Sequence, residues 1–118
     1  MLKTFESLHS NPARAQQIYL ILIALAATRS TIKYDVLAKQ IGYPAGHMLA
    51  GPLGHIMKLC REYDLPALTS LVVDSQGSPS QGLTSVKLED VPGEQARVFE
   101  YSWFAHVPPS LEQLELFK

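Results

Sequence analysis

A run of ten apolar residues, IYLILIALAA at positions 18–27, constrains the fold more than any other feature. It is about half the length of a membrane-spanning helix. It also follows the polar residues Arg14, Gln16 and Gln17 instead of a charged chain start, so it does not resemble a secretion signal. The Asn11-Pro12 pair is a typical helix start. The sequence therefore predicts a helix over residues 12–28, buried on most sides, around which the rest of the protein packs.

The chain has 118 residues, of which 47% are hydrophobic and 18% charged. That composition is too apolar for a disordered chain, and the length suits one globular domain over residues 1–118. The single cysteine, Cys60, allows no internal disulfide and no multi-cysteine zinc site. We therefore expect a cytoplasmic protein with no membrane partner.

Two further helices are predicted after the central one. Residues 34–41 offer one apolar face and are followed by Gly42, a typical helix stop. A turn over residues 42–46 leads to a third helix that starts at His47 or Leu49 and ends at Tyr63, with apolar residues at helical spacing. Two helices joined by a short glycine-containing turn, after a supporting helix, form a helix-turn-helix.

Residues 68–88 have a composition typical of strands and turns, unlike the helical segments before them. Residues 68–73 (LTSLVV) favour a strand, residues 74–82 (DSQGSPSQG) are rich in turn formers, and a second strand is expected at 83–88. Three helices followed by a two-stranded hairpin describe a winged helix. The predicted fold class is thus α+β and mainly helical, a winged helix with extra C-terminal helical elements.

Two C-terminal elements are expected beyond the hairpin. Residues 94–104 fit a helix slightly better than an alternating strand, and Ser110 is predicted to cap a terminal helix. The aromatic cluster in the first of them is interpreted as core closure over the central helix, with a partner surface as the alternative. Its members are Phe99, Tyr101, Trp103 and Phe104.

The net charge of −1 is the sum of a positively charged first half and a negatively charged second half of the chain. Residues 1–64 carry seven basic and four acidic residues, which gives +3, whereas residues 65–118 carry three basic and seven acidic residues, which gives −4. The total excludes a polybasic nucleic-acid coat. The first half is suited to face an anion, and the second half to face a basic partner or to point away from DNA.

Short runs of glycine, proline and apolar residues between positions 32 and 83 resemble a known family. They are IKYD at 32–35, LA at 37–38, IGYP at 41–44, AGPL at 50–53 and LVV at 71–73, followed by a polar turn with Gly77. In this frame, which covers under half of the chain, the sequence resembles the DNA-binding domain of the alkylguanine-DNA alkyltransferases and alkyltransferase-like proteins. The resemblance implies a winged helix that binds DNA, with Tyr34 matching a tyrosine that contacts phosphate.

The same comparison argues against the family's chemistry. A Pro-Cys-His-Arg motif precedes the two valines in that family, and Thr69 and Ser70 stand here in place of the cysteine and histidine. Met48 replaces the arginine that fills the gap left by a flipped base. Cys60 lies on the apolar side of the third helix, and no base is evident beside Thr69. The sequence therefore predicts no enzymatic activity, and neither a cofactor nor a metal site at His47 and His55.

The predicted function is a non-enzymatic, winged-helix DNA-binding or DNA-associated protein. The third helix would enter the major groove of duplex DNA, and residues 75–82 would form the wing. The alternative is a small protein-interaction factor that uses the acidic C-terminal part: an inhibitor, an immunity or anti-defence protein of a bacterium or phage, or an assembly subunit. A homodimer is compatible with the apolar surface. The predicted DNA-contacting residues are Lys33, Tyr34, His47, Met48, His55, Lys58, Arg61, Ser75 and Gln76.

Overall fold

Helices make up most of the computed structural model, which describes residues 2–8, 10–79 and 87–117. The chain is α+β and mainly helical, as predicted. Short 3-10 turns lie between the main elements. The helices and strands are α1 (Asn11–Ala27), β1 (Ile32–Lys33), α2 (Tyr34–Gln40), α3 (Ala50–Glu62), β2 (Val72–Val73), α4 (Val91–Glu100) and α5 (Leu111–Glu115).

The apolar run forms the predicted central helix. Helix α1 packs against α3, α4 and α5, and Ile18 and Leu22 on it are fully buried. The predicted cap is corrected: Ser10 caps α1, because its hydroxyl accepts from the amide of Ala13 at 3.3 Å, and Asn11 is already helical. None of the helices within the described ranges has the length and apolarity that a membrane crossing requires.

The predicted helix-turn-helix segment is present as two helices and a turn. Helix α2 ends next to Gly42, whose φ of 81° lets the chain reverse, and the amide of Tyr43 donates to the carbonyl of Ala38 at 2.8 Å. A 3-10 turn over Gly46–Leu49 then leads into α3. The third helix is therefore present but slightly shorter than predicted: it begins at Ala50, after the predicted starts His47 and Leu49, and ends at Glu62, one residue before Tyr63.

Strand β2 is shorter than predicted, because residues 68–71 form a 3-10 turn instead of a strand. A 3-10 turn places residues i and i+3 on the same side, and here it buries both Leu68 and Leu71 completely. Only the two valines of β2 are extended. They pair in parallel with β1, with Ile32 opposite Val72, and this pairing joins the start of α2 to the turn that follows β2.

The first part of the predicted 74–82 loop forms a tight turn, and residues 80–82 of that loop lie outside the described residues. The carboxylate of Asp74 accepts from the amides of Gln76 (2.8 Å) and Ser78 (3.0 Å), and Pro79 already pairs with Val73 in an antiparallel bridge. A short polar residue at the start of the turn thus closes it within five residues. Residues 83–86 of the predicted second strand lie outside the described residues, and Leu88, its predicted last residue, begins a 3-10 turn.

The C-terminal elements close the core over α1. The helix preferred over residues 94–104 is present in part: α4 begins earlier, with Pro92 in its first turn, and ends at Glu100. Tyr101 is extended and Trp103–Ala105 form a separate 3-10 turn. Trp103 is buried, donates from Nε1 to the carbonyl of Val98 at 2.8 Å and meets Tyr19 edge to face. Phe104, by contrast, is 68% exposed. Ser110 caps α5 as predicted, in a reciprocal capping box with Gln113.

Candidate nucleic-acid interface

The solvent side of α3 combines small residues with cations. Its other side is buried in the core through Leu53, Ile56, Leu59 and Cys60. Ala50, Gly54 and Lys58 follow one another at intervals of four on the outer side, and Arg61 lies one turn further on. Residues at this spacing share one face of a helix. We call these four residues the α3 ridge: its first half exposes the helix backbone, and its second half presents two positive charges.

A groove of about 610 Å³ lies beside the first half of the ridge. We call it the turn groove, because it lies where the start of α2, the turn before α3 and the turn after β2 come together. It contains the phenol of Tyr34, the imidazole of His47 and two carboxylates. The residues that line it are Tyr34, Asp35, Ala45, Gly46, His47, Ala50 and Asp74.

A second groove, of about 490 Å³, lies along the other side of the ridge. We call it the Lys58 groove. It runs between the start of α1 and the outer side of α3, and none of the described residues that line it is a carboxylate. The residues that line it are Asn11, Pro12, Ala50, Gly51, Gly54, His55 and Lys58. Because Ala50 lines both grooves, they adjoin across the ridge and form one continuous surface.

The turn between α2 and α3 is held in place by a buried arginine of α1. The guanidinium of Arg14 donates to the carbonyl of Ile41 and to the side chain of Gln17, both at 2.8 Å. It also lies over the ring of Tyr43, 4.7 Å from its centroid. Charged donors of this kind form strong hydrogen bonds. The central helix therefore fixes the end of α2 and the turn that leads to α3.

Most of the predicted DNA-contacting residues are on or next to this surface. Tyr34 and His47 line the turn groove, Lys58 lines the Lys58 groove, and Arg61 is exposed on the ridge. The others belong to adjacent segments. Lys33 precedes Tyr34 and is exposed, Met48 is 41% exposed beside His47 but lines neither groove, and Ser75 and Gln76 are exposed in the turn that Asp74 opens.

His55, which was predicted to contact DNA, is buried. His55 is 8% exposed, and its Nδ1 lies 2.8 Å from the carbonyl oxygen of Leu114 in α5. A carbonyl only accepts, so Nδ1 carries the proton and donates. The ring therefore ties α3 to the terminal helix, although one edge of it reaches the wall of the Lys58 groove.

The hydroxyls and the thiol considered for covalent chemistry are all buried. Burial and the Glu94 carboxylate raise the pKa of the Cys60 thiol to about 11, against the lowering effect of a backbone hydrogen bond at Leu68. The thiol is therefore protonated at neutral pH, as expected for a structural cysteine. Thr69 and Ser70 lie in the buried 3-10 turn, where Gln95 donates to the carbonyl of Ser70 at 2.8 Å. Within the described residues, the Ser70 hydroxyl has no hydrogen-bond partner.

The surface also contains residues that were not predicted to contact DNA, among them Ala50, Gly54 and Asp74. Ala50 and Gly54 have no polar or charged side-chain group. Only the successive intervals of four residues from Ala50 to Gly54 to Lys58 indicate in the sequence that the three share one helix face. Asp74 was interpreted as a turn former, and it both closes its turn and lines the turn groove. That placement depends on the pairing of β1 with β2, which no local pattern predicts.

Comparisons with protein-family models, with curated proteins and with solved structures found no match to this chain.

Proposed function

We propose that the protein is a non-enzymatic DNA-binding protein of winged-helix type. The order of the elements supports this interpretation. The supporting helix α1 and strand β1 come first, helices α2 and α3 follow with a short turn between them, and strand β2 leads into a tight polar turn. In this arrangement α2 and α3 are the helix-turn-helix, and the turn over residues 74–78 is the start of the wing.

The α3 ridge is the observation that carries the proposal. Ala50 and Gly54 leave the backbone of α3 uncovered, which permits close approach to the floor of a DNA groove. Lys58 and Arg61 follow on the same face, where they would meet phosphates at the edge of that groove. A helix face with two small residues followed by two cations is better suited to bind a DNA duplex than an apolar partner.

The neighbouring residues then take different roles. Asp35 and Asp74 repel phosphate, but carboxylates accept hydrogen bonds from the amino groups of cytosine and adenine. The turn groove, with Tyr34 and His47, would therefore face bases. The exposed side chains of Lys33, Met48, Ser75 and Gln76 would contact the flanking backbone and sugars. His55 is not among the proposed DNA contacts, because its ring joins α3 to α5.

Binding without catalysis is supported by the state of the candidate nucleophiles. Cys60 is buried and protonated, and Thr69 and Ser70 are buried in the 3-10 turn that precedes β2. A nucleophile needs both an activating base and access to its substrate.

The test is the salt dependence of binding to duplex DNA, measured by fluorescence anisotropy with a labelled 20-base-pair duplex. Contacts from Lys33, Lys58 and Arg61 predict that log K falls with log salt with a slope of about −2 to −3, since each neutralised phosphate contributes about −0.9. The double variant K58Q/R61Q should flatten that slope by about two. The control R97Q removes an exposed charge in α4, outside the helix-turn-helix and the wing, and should leave the slope unchanged. Binding that is absent at low salt, or insensitive to salt, would refute the proposal.

A further inference from the structure

An aromatic groove of about 360 Å³ lies among the C-terminal elements, separate from the proposed DNA surface. We call it the C-terminal groove. It lies where the ends of α3 and α4 and the segment before α5 meet α1, and it shares no lining residue with the turn groove or the Lys58 groove. The lining residues that matter here are Tyr19, Tyr63, Tyr101, His106, Val107 and Gln113.

The rings in this groove hold one another in place. Tyr101 stacks on His106 with 5.6 Å between ring centroids, and its hydroxyl lies 2.7 Å from His106 Nε2. The ring of Tyr101 also packs on the buried ring of Trp103, with 4.6 Å between their centroids, and the Trp103 ring meets the edge of Tyr19 with 6.3 Å between centroids. Tyr63, 52% exposed, packs edge to face on Phe117. The aromatic walls therefore need little rearrangement to receive a ligand.

Several residues that line the groove have acidic neighbours in the sequence. Among the residues that the structure describes, no Lys, Arg, Asp or Glu lines the groove. Exposed carboxylates are direct chain neighbours of the wall residues: Glu62 and Asp64 flank Tyr63, Glu100 precedes Tyr101 and Glu112 precedes Gln113. Two cations are also near the walls in sequence. Lys58 lines the Lys58 groove instead, and the exposed Arg61 lies two positions before Tyr63, so the four carboxylates outnumber the cations. An aromatic groove with negative charge around it attracts a cation and repels a phosphate backbone.

We propose that the C-terminal groove binds an arginine side chain of a protein partner. The guanidinium is planar, stacks on aromatic faces and pairs with carboxylates, so it fits tyrosine walls with glutamates around them. The methylene stem and apolar neighbours of such an arginine would lie against Val107, which is 92% exposed, and the apolar wall beside it. This site goes beyond DNA binding and does not depend on it.

The first experiment is an NMR titration of the ¹⁵N-labelled full chain with the peptide acetyl-Leu-Arg-Leu-amide. Its control replaces arginine by citrulline, which keeps the shape and removes the charge. We expect saturable shifts confined to the amides of Tyr63, Tyr101, His106, Val107 and Gln113. Binding should be about two- to fivefold tighter with arginine than with citrulline, the ratio expected from one cation–π contact. Equal affinities, shifts spread over α1 and α2, or no saturable shift would overturn the proposal.

Three variants locate the interaction. Y63L keeps an apolar side chain on a half-exposed position but removes the aromatic face, so the arginine peptide should bind about two- to fivefold more weakly. E112Q should weaken binding at low salt, whereas E89Q, an exposed glutamate before the other end of α4, should not. If E89Q weakens binding as much as E112Q, the peptide senses only net charge and the site is refuted.

Discussion

Gly54 offers a test in which stability and binding should move in opposite directions. It lies inside α3, and a Cβ built on it meets no atom within 4 Å, so neither packing nor backbone strain requires glycine there. Glycine costs a helix interior about 0.8–1.0 kcal/mol relative to alanine. The substitution Gly54→Ala should therefore raise the free energy of unfolding by about 0.5–1 kcal/mol.

The same methyl group should weaken DNA binding. If the backbone of α3 approaches the floor of a groove at Gly54, an added methyl intrudes into a close contact. Intrusions of one methyl into packed contacts cost about 1–3 kcal/mol, which corresponds to a loss of affinity of about five- to 150-fold. Urea unfolding followed by circular dichroism measures the first effect, and duplex anisotropy at one fixed salt concentration measures the second.

Gly93 supplies the matched control. It lies in the first turn of α4, and a Cβ on it also meets no atom within 4 Å, but it is remote in sequence from the ridge. Gly93→Ala should stabilise the protein by up to about 1 kcal/mol and leave DNA affinity unchanged. A Gly54→Ala variant that binds DNA as tightly as the original chain would show that α3 does not approach the duplex at this point. One that is less stable would contradict the open surface seen at Gly54.

Three further outcomes follow from buried polar groups. His55→Phe removes the donor to the Leu114 carbonyl and leaves that oxygen unpaired, so unfolding in urea should show a loss of about 1–3 kcal/mol. Arg14→Met removes the donor to the Ile41 carbonyl and should cost about 2–3 kcal/mol in the same assay; a loss below about 0.5 kcal/mol would contradict that contact. The pKa of Cys60, raised from 9.0 to about 11, should slow alkylation at pH 8 at least about 100-fold relative to the urea-unfolded chain, because ionised thiolate is the reactive form.

Local signals made the main helices predictable. The apolar run defines α1, Gly42 ends α2 through a left-handed backbone conformation, and Ser110 starts α5 through its capping hydroxyl. Each signal acts within four residues of the boundary it sets. The helix over residues 94–100 was the weaker prediction, because its residues also alternate in polarity, and packing of Val98 into the core decides between the two.

Long-range pairing explains what the sequence did not predict. Arg14 and His55 are buried because each donates to the carbonyl of a distant residue, Ile41 and Leu114 respectively, and these partners lie 27 and 59 positions away. Residues 68–71 have strand-like composition, but burial of Leu68 and Leu71 on the same side favours a 3-10 turn. In the candidate interface, cationic and hydroxyl side chains were predictable, whereas the small residues of the ridge were not.

Helix α3 carries the cationic ridge and a wall of the C-terminal groove on different faces. Lys58 and Leu59 are consecutive, yet they point about 100° apart on a helix, and they line the Lys58 groove and the C-terminal groove respectively. One helix therefore presents a cationic ridge on one side and a wall of the acid-flanked groove on another. Glu100 and Glu112 are remote from the ridge in sequence, which lessens their repulsion of a duplex held there. Glu62, by contrast, directly follows Arg61, and Asp35 and Asp74 lie beside the ridge in the turn groove. A net charge of −1 is then compatible with DNA binding, because the charge that matters is the charge within about one Debye length of the ridge, about 8–10 Å.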